Sequence, residues 1–325
     1  MPQMTYLEAI NQALHQEMAR DPTVFMAGID IAERGDVFGA TQGIYSKYGN
    51  ERIFDTPIAE SGIAGLAIGA AARGLRPVVT VMFIDFIGVC FDQILNQMAK
   101  MKYMFGGKVK LPLTVLTNAG AGTNSAAQHS QSLEALLCHI PGLKVVMPSN
   151  PADAKGLMTA AIREDNPVFV IQHKRLGRIQ GEVPEGEHTV PLGSAKVVRE
   201  GKDITIVATS YMVHEALAAA ERLAEQGIDA EIVDPRTLLP LDTETIVASV
   251  KKTHRAVVAH EAVRFCGVGA EIAAQITEEA FDYLDGPPLR IGAPSSPVPY
   301  SPVLEKAWIP GADDIVKAAA SLVVR

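Results

Sequence analysis

Short apolar runs rich in β-branched residues alternate with stretches of helical spacing along most of the chain, and few architectures accept that order. Strands are expected over 24–29, 77–83, 111–116, 144–147 and 168–172. Helices are expected from Thr5, with Leu7, Ile10, Ala13 and Leu14 on one face, after Ser61, over 84–104, from Leu133, and from Ser149 to about Ile162. Periodicity fails over 173–193, where RIQGEVPEGEHTVPLG gathers glycines, prolines and charges. The alternation then restarts with strands over 204–208, 230–233 and 256–259. Its helices carry Val213, Ala216, Leu217, Ala220, Leu223 and Ala224, then span 243–251 and 268–280. The pattern implies an α/β protein of two doubly wound domains, 1–180 and 196–325, joined by a linker at 181–195. In such sheets the functional loops lie at the carboxyl ends of the strands.

Composition narrows the class of protein. With 325 residues and 48% hydrophobic content, the chain has enough apolar surface for two cores. Its formal net charge of -8, with acids and bases interspersed, argues against a nucleic acid or an anionic membrane as partner. Cys90, Cys138 and Cys266 are odd in number and lack zinc or CxxC spacing, so reduced thiols, as small core residues in a cytosol-like compartment, are expected. Residues 1–20 include Glu8 and Glu17 and show no export signal, and the apolar runs are broken by Arg73, Arg76 and Asp85. A cytoplasmic protein is expected.

One stretch concentrates the chemistry. In FDTPIAESGIAGLAIGAAARGLRPVV, Asp55, Thr56 and Pro57 read as turn and cap residues before a helix of small apolar residues. Glycine inside a helix costs about 1 kcal/mol relative to alanine, so Gly62, Gly65 and Gly69 imply a buried helix packed closely against a second element, in this chain or in a second subunit. Glu60 opens it, either as a site carboxylate or as an ordinary acid facing the helix dipole. Gly120-Ala-Gly122 and Gly267-Val-Gly269 lack the third glycine of a dinucleotide fingerprint, with Ser125 and Ile272 in its place. Neither His214-Glu215 nor His260-Glu261 has a second histidine for zinc, and no GxSxG or GxxxxGK[ST] motif occurs. What remains is Glu60 and His129, each between a strand and a helix, with Gln128, Ser130 and Gln131 beside the imidazole. His129 is read either as a site residue or as a surface-loop histidine, and His260 as an outside candidate. Met82 and Phe86 either belong to the core or bracket a flat heterocycle.

These residues resemble a known family, the beta subunits of the thiamine-diphosphate-dependent 2-oxoacid dehydrogenase complexes. The likeness covers essentially the whole chain, through RIFDTPIAESGIAGLAIGAAARGLRP, AAQHSQS, PGLKVVMPSNPADAKGL, AIREDNPV and VPEGEHTVPLGSAKVVREGKDITIVA. VCFDQILNQMAKMKYMFGGK and the QGEVPE linker are most similar to acetoin dehydrogenase, then to pyruvate dehydrogenase. The resemblance implies a pyrimidine-binding transketolase-like domain followed by a smaller transketolase C-terminal-like domain. It also implies that Glu60 hydrogen-bonds the aminopyrimidine ring nitrogen, promoting the imino tautomer that makes the thiazolium carbanion. Ile58, Met82 and Phe86 match positions packed around the pyrimidine, and His129 matches the histidine that positions substrate and moves protons during acyl transfer. The implied reaction cleaves acetoin to acetaldehyde and a hydroxyethyl-cofactor enamine, then reductively acetylates lipoamide; with pyruvate the leaving product is carbon dioxide.

The family further implies an alpha subunit, because the diphosphate and its magnesium are held by GDG followed by NN. Here Gly35-Asp36 is followed by Val37, with no such pair downstream. An α2β2 heterotetramer with β/β contact, docked on a lipoyl-bearing dihydrolipoamide acetyltransferase core, is implied, with Asp313 and Asp314 as candidate contacts. By resemblance alone, potassium is held by backbone oxygens of Leu113, Ala161, Ile162, Glu164 and Asn166. Ile29 departs from the acidic residue that relatives carry there, which puts a proton path between active sites in doubt. The competing readings are a non-catalytic assembly subunit and a one-chain transketolase-like synthase.

Overall fold

Regular structure begins with a reciprocal cap. Thr5 closes β1 (Gln3–Thr5) and opens α1 (Tyr6–Arg20), its hydroxyl accepting from Glu8 N at 3.2 Å while Glu8 Oε2 accepts from Thr5 N at 2.7 Å. The structure is a computed structural model describing residues 1–323, and its chain divides into two units, 1–119 with 136–192 and 120–135 with 193 onward.

The first unit continues with β2 (Val24–Gly28), α2 (Ile44–Tyr48), β3 (Ile53–Asp55), α3 (Glu60–Ala72), β4 (Arg76–Phe83), α4 (Met101–Met104) and β5 (Thr114–Ala119). After α5 (Glu134–Cys138) come β6 (Lys144–Val146), α6 (Pro151–Arg163), β7 (Val168–His173) and β8 (Gln180–Glu182). Its strands lie in the order β6-β7-β5-β4-β2-β3, every pair parallel. All residues of β2, β5 and β7 are buried, as expected for strands covered on both faces.

Residues 84–104 do not form the single helix their spacing predicts. Ile84, Ile87 and Cys90 are buried at intervals of three, which suits the 3-10 turn of Ile84–Cys90; a π-helical segment, Gln93–Met98, buries Ile94 and Met98 before α4. The break over 173–193 is also more ordered than expected. β8 pairs antiparallel with β1, and the fully buried Lys155 donates from Nζ to the carbonyls of Pro184 and Gly186 at 2.8 and 2.7 Å. A buried ammonium needs such partners, so the lysine fixes the path of the glycine- and proline-rich segment.

The second unit contains β9 (Lys196–Arg199), β10 (Ile204–Ala208), α7 (Met212–Ala224), β11 (Ala230–Asp234), β12 (Thr237–Leu239) and α8 (Thr243–Thr253). It ends with β13 (Ala256–Val263), α9 (Val268–Ala280), β14 (Leu289–Ala293), α10 (Pro302–Trp308) and α11 (Ala312–Val323). Its sheet runs β14-β13-β10-β11-β9, parallel except for β9 at one edge. The apolar stripe of α7 and Ile315, Ala319 and Leu322 of α11 share one core with β10, β11 and β13. Among the described residues no helix is long and apolar enough to cross a membrane. Only Cys90 is buried; Cys138 is half-buried and Cys266 exposed, so the expectation of three core thiols is corrected.

Candidate functional site

Glu60 is the first residue of α3, and no side chain caps that helix: its N-cap is Ala59. Asp55 has a different task from the capping expected of it, its Oδ1 accepting from Ile31 N and Ala32 N at 2.7 and 2.9 Å and so holding the loop after β2. Glu60 is 8% exposed, and no hydrogen bond or ion pair of its carboxylate is found among the described residues. A carboxylate so placed is largely, not wholly, shielded from water and gains no partner in this chain.

The start of α3 is tied to the segment that follows β4. Ser61 Oγ donates to the Val89 carbonyl at 2.7 Å, tying the first turn of α3 to the 3-10 turn that carries Phe86. Cys90 lies close enough to feel the Glu60 charge: burial first, and that charge second, push its thiol up to about 11. Met82, at the carboxyl end of β4, and Phe86 are half-buried. Phe86 meets Phe83 edge to face at 6.2 Å, and Phe83 meets Phe38 at 5.7 Å. Ile58, two positions before Glu60, is 81% exposed, an apolar side chain left open.

Within this chain α3 is buried on one side. Ile63, Ala64, Ala67, Ile68 and Ala71 face the core, whereas Gly62, Gly65, Leu66 and Gly69 are exposed. A Cβ added at Gly65 or Gly69 meets nothing within 4 Å, so the predicted close approach is not made by this chain.

His129 is half-buried in the segment 120–135, which belongs to the second unit. The loop closes on Gly120 N donating to the Gln131 carbonyl at 3.1 Å. Its amides are held by acids that sequence reasoning did not single out: Ala121 N donates to Glu261 Oε1 at 2.6 Å, and Gly122 N and Asn124 N donate to Glu305 Oε1 and Oε2 at 2.9 and 3.0 Å. Glu134, at the end of the loop, is wholly buried; desolvation first, with the Glu261 charge adding, raises its carboxyl to about 7. His260, the outside candidate, is buried in the glycine-lined interior of the second unit, apart from any open surface.

At the AIREDNP turn, Arg76 Nη1 donates to the carbonyls of Ile162 and Glu164 at 3.1 and 3.0 Å. The Ala161 carbonyl accepts from Glu164 N, and that of Leu113 from Val168 N. Lys102 Nζ donates to Asn166 Oδ1 at 2.6 Å. A potassium ion there would share two of its oxygens with a guanidinium. Among the described residues no group of three or more His, Cys, Asp or Glu is placed to hold a metal ion. Asp313 pairs with Arg222 at 2.6 Å while remaining 88% exposed, and Asp314 accepts from Gly311 N at 3.0 Å.

Comparison with known proteins agrees over nearly the full length. The family model for the transketolase pyrimidine binding domain matches residues 2–180, and that for the transketolase C-terminal domain matches 193–315. The beta subunit of acetoin:2,6-dichlorophenolindophenol oxidoreductase of Cupriavidus necator is 51% identical over 321 residues, 96% of this chain and 95% of that protein. The pyruvate dehydrogenase E1 component subunit beta of Bacillus subtilis is 44% identical over 320 residues, 98% of each chain. Among solved structures, a split gene transketolase described as an inactive beta4 tetramer superposes with a TM-score of 0.80 at 26% identity, covering 98% of this chain and 97% of its own. By sequence and fold, then, the chain belongs to the family of beta subunits of acetoin and 2-oxoacid dehydrogenases, built from a transketolase pyrimidine-binding domain and a transketolase C-terminal domain.

Proposed function

We propose that the chain is the beta subunit of a thiamine-diphosphate-dependent acetoin dehydrogenase, acting with an alpha subunit to cleave acetoin to acetaldehyde and pass the two-carbon acyl group to lipoamide on an acetyltransferase core. The observation that carries this reading is the Glu60 carboxylate, 8% exposed and without a partner among the described residues. An acid in that setting fits a ring nitrogen supplied from outside the chain, and the half-buried Met82 and Phe86 fit the faces of a flat pyrimidine. When bound, thiamine diphosphate supplies the nucleophilic carbon and the electron sink for carbon–carbon bond cleavage. Glu60 holds the pyrimidine nitrogen, Met82 and Phe86 exclude water from it, and Ile58 awaits a cover from the partner chain. His129, on a loop of small residues, orients substrate and carries a proton between it and solvent. Magnesium and the diphosphate are left to the alpha subunit.

In a complex reconstituted with the alpha subunit, Glu60→Gln is expected to lower acetoin-dependent reduction of an artificial acceptor by at least about 100-fold while assembly persists. Near-normal turnover would remove Glu60 from the reaction. His129→Ala is expected to lower acetyl transfer to lipoamide by about 100-fold, read as acetylated lipoyl domain per unit time. The second reading, pyruvate as substrate, draws on the 44% identity to a pyruvate dehydrogenase beta subunit. Acetaldehyde release from acetoin against carbon dioxide release from pyruvate, at matched concentrations, decides between them.

A further inference from the structure

The loop that carries His129 leaves the amides of Ala121, Gly122 and Asn124 to acids outside it. Gly120, Gly122, Asn124 and Ala126 adopt left-handed φ values of 93°, 92°, 55° and 59°, which bend the chain away from any ladder that would pair them. Two of these positions are not glycine, so the bend is costly and must be imposed by its surroundings. Glu305 supplies the constraint. It lies on α10, is 3% exposed, and offers one oxygen to Gly122 N and the other to Asn124 N. Glu261, 5% exposed on β13, takes the amide of Ala121, whose methyl packs with Ala293, Val298 and Trp308. Each N–H meets its own oxygen, and a carboxamide in the same place would turn its NH2 group, a donor, towards one of them.

We propose that Glu305, with Glu261 beside it, is a positioning residue for His129: it fixes the bend at 122–124 so that the imidazole is presented in one place during acyl transfer. The inference rests on the reading of His129 as the proton-transferring group. It assigns to the C-terminal domain a part in presenting the histidine, through two acids 176 and 132 positions downstream of it in sequence.

The test uses the assembled α2β2 complex with Glu305→Gln and Glu305→Ala, following hydrogen–deuterium exchange at residues 121–124 together with acetylation of a lipoyl domain. Exchange at Gly122 and Asn124 is expected to rise at least roughly tenfold, while α9 and β13 keep wild-type protection. The kcat for acetyl transfer is expected to fall at least roughly tenfold with KM for acetoin within about twofold, and Glu305→Ala should be worse than Glu305→Gln, which keeps one acceptor. Unchanged exchange at 122 and 124 overturns the proposal, as does unchanged acetyl transfer despite faster exchange. Faster exchange throughout the second unit in Glu305→Gln also overturns it, since the acid would then be a general stability element. His129→Ala is assayed alongside. Wild-type acetyl transfer by that variant means the histidine reading has failed and the positioning claim with it; a slow His129→Ala beside a normal Glu305→Gln means that positioning alone has failed.

Discussion

His260 shows how much a single titratable side chain can govern. It is 1% exposed, the Ala262 backbone beside it favours the protonated ring only in part, and Arg290 adds an unfavourable charge. Burial chiefly, with Arg290 adding, lowers its pKa from 6.5 to about 4. The folded state therefore binds a proton less readily than the unfolded chain. Stability present above pH 6.5 is lost as the pH falls toward 4, by about 3 kcal/mol in all. Urea unfolding of the isolated chain between pH 7 and 4 is expected to show this acid limb, and His260→Asn to flatten it, whatever offset the smaller side chain adds. Parallel pH profiles for wild type and variant would show that the imidazole does not carry the effect. Glu134 works in the opposite sense: with its carboxyl raised from 4.5 to about 7, its contribution is full below 4.5 and is lost as the pH climbs through 7. Glu60 and His129 could be singled out as candidates from the sequence because their flanking motifs are contiguous. Glu305 could not be, because nothing near it in sequence says that its carboxylate reaches a loop some 180 residues away, at Gly122 and Asn124.

At the scale of elements, α9 was legible in full, Val268 to Ala280, because it is amphipathic and isolated between two turns. The edge strands β9 and β14 were not, since half-buried edges dilute the apolar signal, and neither were α10 and α11 beyond them. The start of α9 also has a tertiary constraint that helix propensity contradicts. Gly269 lies in its first turn, where alanine would ordinarily gain about 1 kcal/mol. A Cβ there stands 2.7 Å from His260 Nε2, and one at Gly267 stands 2.6 Å from His260 Cε1. The ring cannot move aside easily, because a Cβ at Gly292 on the adjoining β14 is also 3.0 Å from Cε1. Gly269→Ala is therefore expected to destabilise the chain by about 1–3 kcal/mol, and His260→Ala in the same chain to recover most of that loss. Denaturant midpoints of the two single variants and the double variant measure the coupling. Additive effects would mean that the glycine is required for its backbone and not for the imidazole.

For the molecule as a whole, the decisive fact is what the chain leaves uncovered. α3 is apolar on every side, yet Gly62, Gly65, Leu66 and Gly69 are exposed, next to Glu60 with its unpartnered carboxylate and Ile58 at 81% exposure. Helices with no polar face are stable when buried, and three glycines allow another backbone to approach closely. On the function proposed above, this chain holds one part of a shared site, so the open face and the incomplete site call for the same remedy, a second subunit. A substitution on this face therefore separates folding from assembly. Gly65→Gln puts a helix-favouring side chain where a Cβ meets nothing within 4 Å, so the isolated chain should be unchanged or more stable by up to about 1 kcal/mol. Recovery of the α2β2 complex on mixing with the alpha subunit should nonetheless fall, with affinity weakened at least roughly tenfold, about 1.4 kcal/mol. Thermal melts of the isolated chain and light scattering of the mixture give the two readings. Normal assembly by Gly65→Gln would mean that the glycine face is not buried in the complex, and the cover for Glu60 would have to come from another side.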